Sequence, residues 1–306
     1  MVLCCGEALI DFIKPSGDDD CYHAAPGGSP FNTAIAAARL GVPTGFYSRI
    51  SEDMFGERLV EHLRENGVDM SYVTRSKDPS TLAFVDKSGH DVSYAFFAKG
   101  SADRSISTAD LPAFLPESIR ALALGSLATI LEPVADSLLA LIKREYGGRL
   151  VSFDPNIRER MIQDRQAYVN RFFEIVRHSH VIKASDQDLG WIFPTSSIEE
   201  AASSLLARGP ELVLVTQGAA GSLAFTTDES VGVPAPRTDV VDTVGAGDTF
   251  HGAVLAWLYR EEALAPGIPG SLGEEDLGRL LAFAVQASAV TCSRAGADPP
   301  RIEELT

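Results

Sequence analysis

The nonapeptide Asp242-Thr-Val-Gly-Ala-Gly-Asp-Thr-Phe250 is the stretch from which the fold can be worked out. Gly245 and Gly247 permit a tight turn or positive φ, conformations that other residues resist. After Asp248 the apolar residues recur at helical spacing, at Phe250, Val254, Trp257 and Leu258. The stretch therefore predicts a glycine turn that opens a helix.

A turn of this kind is a favourable binding place for an anion. Several free N–H groups and the positive end of the helix dipole point at one spot, which favours a phosphate. Asp248 is unexpected there, because a carboxylate is repelled by phosphate unless it holds a hydroxyl nucleophile in line with the phosphorus. The nonapeptide alone also fits an ordinary glycine-rich helix start with an acid in its first turn.

Composition limits the class of protein. The chain has 306 residues, enough for one large α/β domain or two small ones, and its 26 basic and 42 acidic residues leave a net charge of −16. Such acidity argues against nucleic acid or an anionic membrane as a partner. The N-terminal residues predict neither a signal peptide nor a membrane helix, and the four cysteines lack zinc-binding spacing. We therefore expect a cytoplasmic protein with reduced thiols.

Strands and helices alternate regularly in the second half of the chain. Predicted strands at 121–125, 150–153, 181–184 and 212–216 alternate with predicted helices at 133–146, 168–178 and 198–208. Such alternation implies an α/β fold with a mostly parallel sheet covered by helices, whose ligands bind beyond the strand carboxyl ends. Polar clusters follow these ends, at 154–158, 185–188 and 216–221.

An early helix is predicted from Gly27-Gly28-Ser29-Pro30-Phe31-Asn32 onward. Ser29 can cap this helix, Pro30 suits its first position, and Gly41 can close its end. Farther along, the stretches 81–85 and 91–97 alternate polar and apolar residues around a turn, which predicts a β-hairpin.

Two signatures resemble those of the ribokinase-like (PfkB) family of carbohydrate kinases. The nonapeptide 242–250 is similar to the C-terminal signature, and G-G-x-x-x-N-x-A-x-x-x-x-x-L-G at 27–41 is similar to the N-terminal one. Ala-Asp103-Arg104 after an aromatic strand resembles bacterial fructokinases in particular. The resemblance implies one ribokinase-like domain over 1–306, a three-layer α/β/α fold with a mostly parallel central sheet and a small β-sheet lid.

The resemblance places the lid at about 13–25 and 80–101, closing over the sugar. Closure would exclude the water whose attack on ATP competes with transfer. Tyr94 and Phe96 share one face of the predicted hairpin, where they could contact substrate or pack within the lid. Exposed lid strands could pair between two copies of the chain, which would give a homodimer.

The resemblance also implies roles for individual residues. Asp248 would be the catalytic base, while Gly245, Ala246 and Gly247 would form the anion hole. The residues that would bind the sugar are Asp11, Gly28, Asn32, Tyr94, Arg104 and Arg158. A carboxylate suits sugar hydroxyls because it accepts two donors, and an arginine suits a phosphate or a carboxylate. Without the resemblance, Asp11 is equally a surface acid, Asn32 a capping residue, and Arg104 a partner of Asp103.

Nucleotide and cation sites follow from the same resemblance. The residues that would bind ATP are Ser185, Thr216, Gly218, Gly221 and Gly247, although Gly218 and Gly221 also fit a plain turn between strands. Ser185 and Asp188 stand where many family members have Asn-x-x-Glu, which organises the water shell of Mg²⁺. These shorter side chains would act through water. Asp242 and the turn at 293–297 could hold a monovalent cation such as K⁺.

The implied reaction is transfer of the γ-phosphate of ATP to a sugar hydroxyl, with fructose as the expected acceptor and fructose 6-phosphate as product. A 2-keto-3-deoxygluconate kinase, which should need an extra positive group at the sugar pocket, and another sugar or nucleoside kinase of the family stay open. A non-catalytic sugar-sensing relative would have no need of Asp248. A nicotinamide dehydrogenase is disfavoured, because Phe250 replaces the third glycine of G-x-G-x-x-G.

Overall fold

The computed structural model describes residues 1–14, 21–86 and 93–305, without the side chains of Asp86, Ser93 and Tyr94. Its strands, numbered along the chain, are β1 (Val2–Cys5), β2 (Leu9–Ile13), β3 (His23–Gly27), β4 (Thr44–Ser51), β5 (Val73–Ser76), β6 (Thr81–Asp86), β7 (Ser93–Phe97), β8 (Ala121–Gly125), β9 (Leu150–Asp154), β10 (Val181–Ser185), β11 (Leu212–Thr216), β12 (Ser222–Phe225) and β13 (Ser230–Val233). Its α-helices are α1 (Ser29–Arg39), α2 (Met54–Glu65), α3 (Val134–Glu145), α4 (Arg165–Val176), α5 (Asp186–Ile192), α6 (Ile198–Leu206), α7 (Ala246–Arg260) and α8 (Glu274–Cys292).

The larger of the two described sheets has nine strands in the order β13-β12-β11-β10-β9-β8-β1-β4-β5. From β5 to β11 every neighbouring pair is parallel, whereas β12 and β13 add an antiparallel edge. Parallel strands bring their carboxyl ends to one edge of the sheet. The predicted mostly parallel sheet is confirmed, and the polar clusters after β9, β10 and β11 lie along that edge.

Both faces of the large sheet are covered by helices. Along β1, Val2 and Cys4 join a core formed with α1, α2, α7 and α8, whereas Leu3 and Cys5 join a second core with α3 to α6. Strands buried on both faces are apolar throughout, which explains the continuous Val-Leu-Cys-Cys run. The three-layer α/β/α architecture is confirmed, and none of the described helices is long and apolar enough to cross a membrane.

A second sheet of four strands, in the order β3-β2-β6-β7, stands beside the carboxyl ends of the large one. Its centre is the parallel pairing of β2 with β6, from Leu9 opposite Thr81 to Ile13 opposite Val85. The pairs β2–β3 and β6–β7 are antiparallel, the latter being the hairpin that the alternation predicts. Residues 15–20, which include Asp18-Asp19-Asp20, and residues 87–92, where the hairpin turn is predicted, lie outside the described part of the chain. The bounds of the lid therefore stay a prediction.

The helices α1 and α7 pack unusually close together. A Cβ built on Gly252 would lie 2.6 Å from the Cβ of Ala36 and 2.9 Å from the backbone nitrogen of Ala37. Real Cβ atoms do not approach other atoms so closely, so one helix would have to move to admit a side chain.

Substitution of Gly252 by alanine tests this contact. We expect Gly252→Ala to lower the free energy of unfolding by about 1–3 kcal/mol, since the helices must separate. Gly278→Ala, in α8, is the matched control because a Cβ there meets no atom within 4 Å. It should stabilise the protein by about 0.5–1 kcal/mol through reduced backbone entropy of the unfolded chain. Equal urea midpoints for the two variants would contradict the tight contact.

Candidate active site

Two cavities adjoin at the start of α7. The smaller, of about 220 Å³, lies between the two sheets, and the described residues lining it include Glu7, Asp11, Gly28, Ser29, Asn32, Phe96, Asn156, Arg158, Gly245 and Asp248. The larger, of about 560 Å³, is lined by residues that include Thr216, Gly218, Gly221, Arg237, Ala246, Phe250, Ser288 and Cys292. Thr243 and Gly247 line both cavities, so the glycine turn separates them.

The backbone of the turn requires its first glycine. Gly245 is the N-cap of α7 and has φ of 77°, in the left-handed region. A Cβ there would lie 2.5 Å from the Cβ of Ala297. The amide of Ala246 donates to the carbonyl of Thr243 at 3.3 Å, which closes the turn. The positive end of the α7 dipole is thereby held where the two cavities meet.

Asp248 is buried in the first turn of α7, and hydrogen bonds hold its carboxylate in place. Its Oδ1 accepts from the Ser29 hydroxyl at 2.6 Å, and its Oδ2 accepts from Asn32 Nδ2 at 2.9 Å. The prediction that Ser29 caps α1 is wrong: α1 begins at Ser29, and its N-cap is Gly28. Because Gly28 takes the cap position, the Ser29 hydroxyl is available to Asp248.

A chain of polar contacts links Asp248 to Arg158. Asn156 Nδ2 donates to the Ser29 hydroxyl oxygen at 2.9 Å, and Arg158 Nη1 donates to Asn156 Oδ1 at 2.5 Å. Asn156 has φ of 37°, which lets the chain turn sharply after β9. The segment 154–158 is thus tied both to the acid in α7 and to the start of α1. The contacts of Ser29 and Asn156 with Asp248 are not predicted by the sequence.

Glu7 is a buried carboxylate on the floor of the smaller cavity. Its Oε1 accepts from the Ser29 amide at 3.3 Å, and its Oε2 accepts from the Ala128 amide at 3.0 Å. Burial raises the pKa of Glu7 to about 7, against the opposing effect of these hydrogen bonds. Glu7 is not among the residues predicted from the sequence to form the site. The available signal for a buried carboxylate was the position of Glu7, only two residues after the fully buried strand β1.

Lys183 and Asp154 form a buried ion pair beneath the turn, with Nζ 2.8 Å from Oδ2. Burial raises the pKa of Asp154 to about 6, although Lys183 opposes this. Burial disfavours the charge of Lys183, but the Asp154 carboxylate keeps its pKa raised. His251 of α7 is neutral because burial and Lys183 lower its pKa to about 3, and its Nε2 contacts the Ser152 hydroxyl at 2.7 Å. The available signal for this ion pair was a lysine within the apolar run of β10, because a buried lysine needs an acidic partner.

Most predicted sugar-site residues come together in the smaller cavity, which Asp11, Gly28, Asn32 and Arg158 line. Arg104 is not among the described lining residues, and its Nε donates to the carbonyl of Glu132 at 2.7 Å. Asp103 accepts a hydrogen bond from the Thr81 hydroxyl at 2.6 Å. Among the described residues it forms no ion pair with Arg104, which was the other interpretation of these two residues. Tyr94 belongs to β7, but its side chain lies outside the described part.

Four of the five residues predicted to bind the nucleotide line the larger cavity: Thr216, Gly218, Gly221 and Gly247. The fifth, Ser185, is not among its described lining residues. Ser185 and Asp188 form a capping box at the start of α5, and Asp188 Oδ1 also accepts from the Ile157 amide at 2.8 Å. Within the described residues, no group of three or more Asp, Glu, His or Cys could hold a metal ion.

Asp242 joins the signature to the turn that follows α8. Its Oδ1 accepts from the Val244 amide and its Oδ2 from the Gly296 amide, each at 3.2 Å. These bonds bring together the two segments between which a monovalent cation is predicted. The cation itself stays a prediction.

Comparison with known proteins agrees with this geometry. A fructokinase from Rhizobium leguminosarum bv. trifolii is 42% identical over 279 residues, which cover 90% of this chain and 85% of the relative. The crystal structure of a fructokinase with bound ATP from Xylella fastidiosa matches with a TM-score of 0.91 at 27% identity, covering 99% of this chain and 97% of that one. An aminoimidazole riboside kinase from Salmonella enterica, complexed with aminoimidazole riboside and an ATP analog, matches with a TM-score of 0.86 at 26% identity, covering 99% and 98%.

The family model described as "pfkB family carbohydrate kinase" matches residues 1–304. Its match spans both signatures, the turn between the two cavities and Asp248. The chain therefore belongs to the pfkB family of carbohydrate kinases and is a phosphotransferase with an alcohol group as acceptor.

Proposed function

We propose that this kinase transfers the γ-phosphoryl group of ATP to fructose and forms fructose 6-phosphate. The observation that carries the proposal is the position of Asp248, in the smaller cavity at the turn that also lines the larger one. The sugar would occupy the smaller cavity and the nucleotide the larger. The phosphoryl group would then cross between them at the residues Gly245 to Gly247.

In this mechanism Asp248 orients the acceptor hydroxyl and takes its proton. The contacts of Asp248 with Ser29 and Asn32 fix the carboxylate before the sugar arrives. The helix dipole favours the ionised carboxylate and so weakens it as a base, but in a loose transition state the hydroxyl loses its proton late. The same dipole and the turn amides stabilise the charge on the transferred group.

Mg²⁺ would neutralise charge on the nucleotide phosphates when bound. Asp188 already accepts hydrogen bonds from the Ile157 amide and from both the amide and hydroxyl of Ser185. We therefore propose that Asp188 contacts metal-bound waters rather than the ion, which suits a cation that keeps much of its hydration shell. Asp242 remains the proposed contact region for K⁺.

The charges of the smaller cavity support a neutral sugar. Its described lining holds three carboxylates, from Glu7, Asp11 and Asp248, and Arg158 as the one basic side chain. Arg158 is already engaged by the side chain and carbonyl of Asn156. A sugar acid such as 2-keto-3-deoxygluconate would meet net repulsion there. The fructokinase relative supports fructose as the neutral acceptor.

A nucleoside is the second candidate acceptor, supported by the similarity to the aminoimidazole riboside kinase. A non-catalytic sugar sensor fits less well, because a carboxylate held by Ser29 and Asn32 at an anion-binding turn serves no purpose in binding alone. In each catalytic case the partners are small molecules, the acceptor and ATP.

A substrate panel tests the proposed function. We expect ADP release from Mg·ATP with fructose, and much less with ribose, glucose, adenosine, aminoimidazole riboside or 2-keto-3-deoxygluconate. Phosphate position in the product is read by NMR. Selective activity with a nucleoside would replace fructose but keep the mechanism. Silence with every acceptor, while ATP still binds, would refute the proposal.

Substitution of Asp248 tests the base. Asp248→Ala should lower kcat by at least about 100-fold, because the acceptor hydroxyl loses its proton acceptor. Sugar affinity, measured by calorimetry, should change little. Ser29→Ala is the control, because it removes the Ser29–Asp248 hydrogen bond and leaves the carboxylate in place. Retained turnover together with lost sugar affinity would make Asp248 a sugar ligand instead.

Substitution of Asp11 tests the sugar site. Asp11→Ala should weaken sugar binding by about 10- to 100-fold, since a hydrogen bond to a charged group contributes about 1.5–3 kcal/mol. Asp11→Asn, of equal size, separates loss of charge from loss of volume, and KM for ATP should stay close to the wild-type value. Sugar affinity that survives in both variants would make Asp11 an ordinary surface acid.

A further inference from the structure

We propose that Lys183 is a positioning residue that places a fixed positive charge behind the anion-binding turn, an inference that rests on the proposed phosphoryl transfer. Lys183 belongs to β10, and its side chain is 4% exposed. It therefore acts from within the protein, through the backbone of the turn, and not by touching substrate.

The ammonium group lies directly against the first turn of α7. A Cβ built on Gly247 would stand 3.0 Å from Lys183 Nζ. The absence of a side chain at position 247 thus allows a buried cation to approach the turn from behind, while the opposite side faces both cavities. A purely conformational need for this glycine is not evident, because its φ is not in the left-handed region.

The electrostatic surroundings give this cation an effect on the turn. Asp154 pairs with Lys183 at 2.8 Å, and the charges of Asp188 and Asp248 act on it from farther away. The nearby His251 is neutral and adds no charge. The positive end of the helix dipole and the Lys183 ammonium group, the positive end of its pair with Asp154, therefore act on the same place, where phosphoryl oxygens would become more negative during transfer.

The ion pair is poorly built for stability alone. Asp154 Oδ1 is buried without a hydrogen-bond partner in the described structure. A buried pair stabilises a fold only when its remaining lone pairs are satisfied, and well-packed apolar replacements are often as stable. The unsatisfied oxygen indicates that Asp154 holds the lysine in place at some cost in stability.

The competing explanation is that Lys183 serves only to neutralise the buried Asp154 carboxylate, so that Lys183→Met fails because it strands that charge. Lys183→Met removes the charge and leaves a chain of similar length, whereas the double variant Lys183→Met/Asp154→Asn also removes the stranded carboxylate. If neutralising Asp154 is the whole role, the double variant should regain activity, because no unpaired buried charge is left. If the positive charge serves the reaction, the double variant should stay as impaired as Lys183→Met.

The experiment measures kcat with Mg·ATP and fructose, and the affinities for ADP alone and for ADP with aluminium fluoride and fructose. We expect both variants to lose about 100-fold in kcat, as when one donor to a developing anion is removed. Affinity for the aluminium fluoride complex should fall by a similar factor, while affinity for ADP changes less than about threefold, because the charge acts on the transition state. Arg149→Met, which breaks the Arg149–Glu145 pair away from both cavities, should lower only the unfolding temperature.

Recovery of kcat in the double variant, or a Lys183→Met kcat within about twofold of wild type, would overturn this inference and leave the proposed function standing. If Lys183→Met does not fold, the double variant carries the test by itself. Absence of turnover in the wild-type protein with every acceptor would instead refute the proposed function.

Discussion

The close packing of α7 against α1 is the contact on which the site depends. At Gly252 the two helices approach so closely that neither Ala36 nor Ala37 leaves room for another side chain. This approach brings Asp248, in the first turn of α7, within hydrogen-bonding distance of Ser29 and Asn32, in the first turn of α1. The same small residues that stabilise the fold therefore set the position of the proposed base.

Around that contact the protein buries charges that interiors ordinarily exclude. Glu7 accepts hydrogen bonds from two backbone amides, and Lys183 is paired with Asp154, but Asp154 Oδ1 has no hydrogen-bond partner among the described residues. Such groups cost stability unless every lone pair is used. Two apolar cores, one on each face of the large sheet, offset that cost. Electrostatic strain is thus concentrated at the edge of the sheet where the two cavities meet.

The layered fold could be predicted from sequence because period and turn residues are local signals that repeat along the chain. The glycine turn and the place of Asp248 at the start of a helix could likewise be predicted from the nonapeptide 242–250. Partnerships between distant residues were not: Ser29 looked like a helix cap, although its hydroxyl reaches a residue 219 positions away. The spacing of Ser185 and Asp188 is that of a capping box, which the structure contains, whereas their roles toward ATP and Mg²⁺ stay predictions. A lysine in an apolar strand signals a buried partner but does not say which one.

The parallel pairing of β2 with β6 has a mechanical consequence. Asp11 belongs to β2 of the small sheet, whereas Asn32 and Asp248 belong to helices packed on the large one. In the proposed function, a sugar that contacts both Asp11 and Asn32 would therefore link the two sheets. Part of its binding free energy would then hold the two sheets in a fixed relative position. An analogue without the hydroxyl groups proposed to bind Asp11 would contact only the part of the site that the large sheet supports.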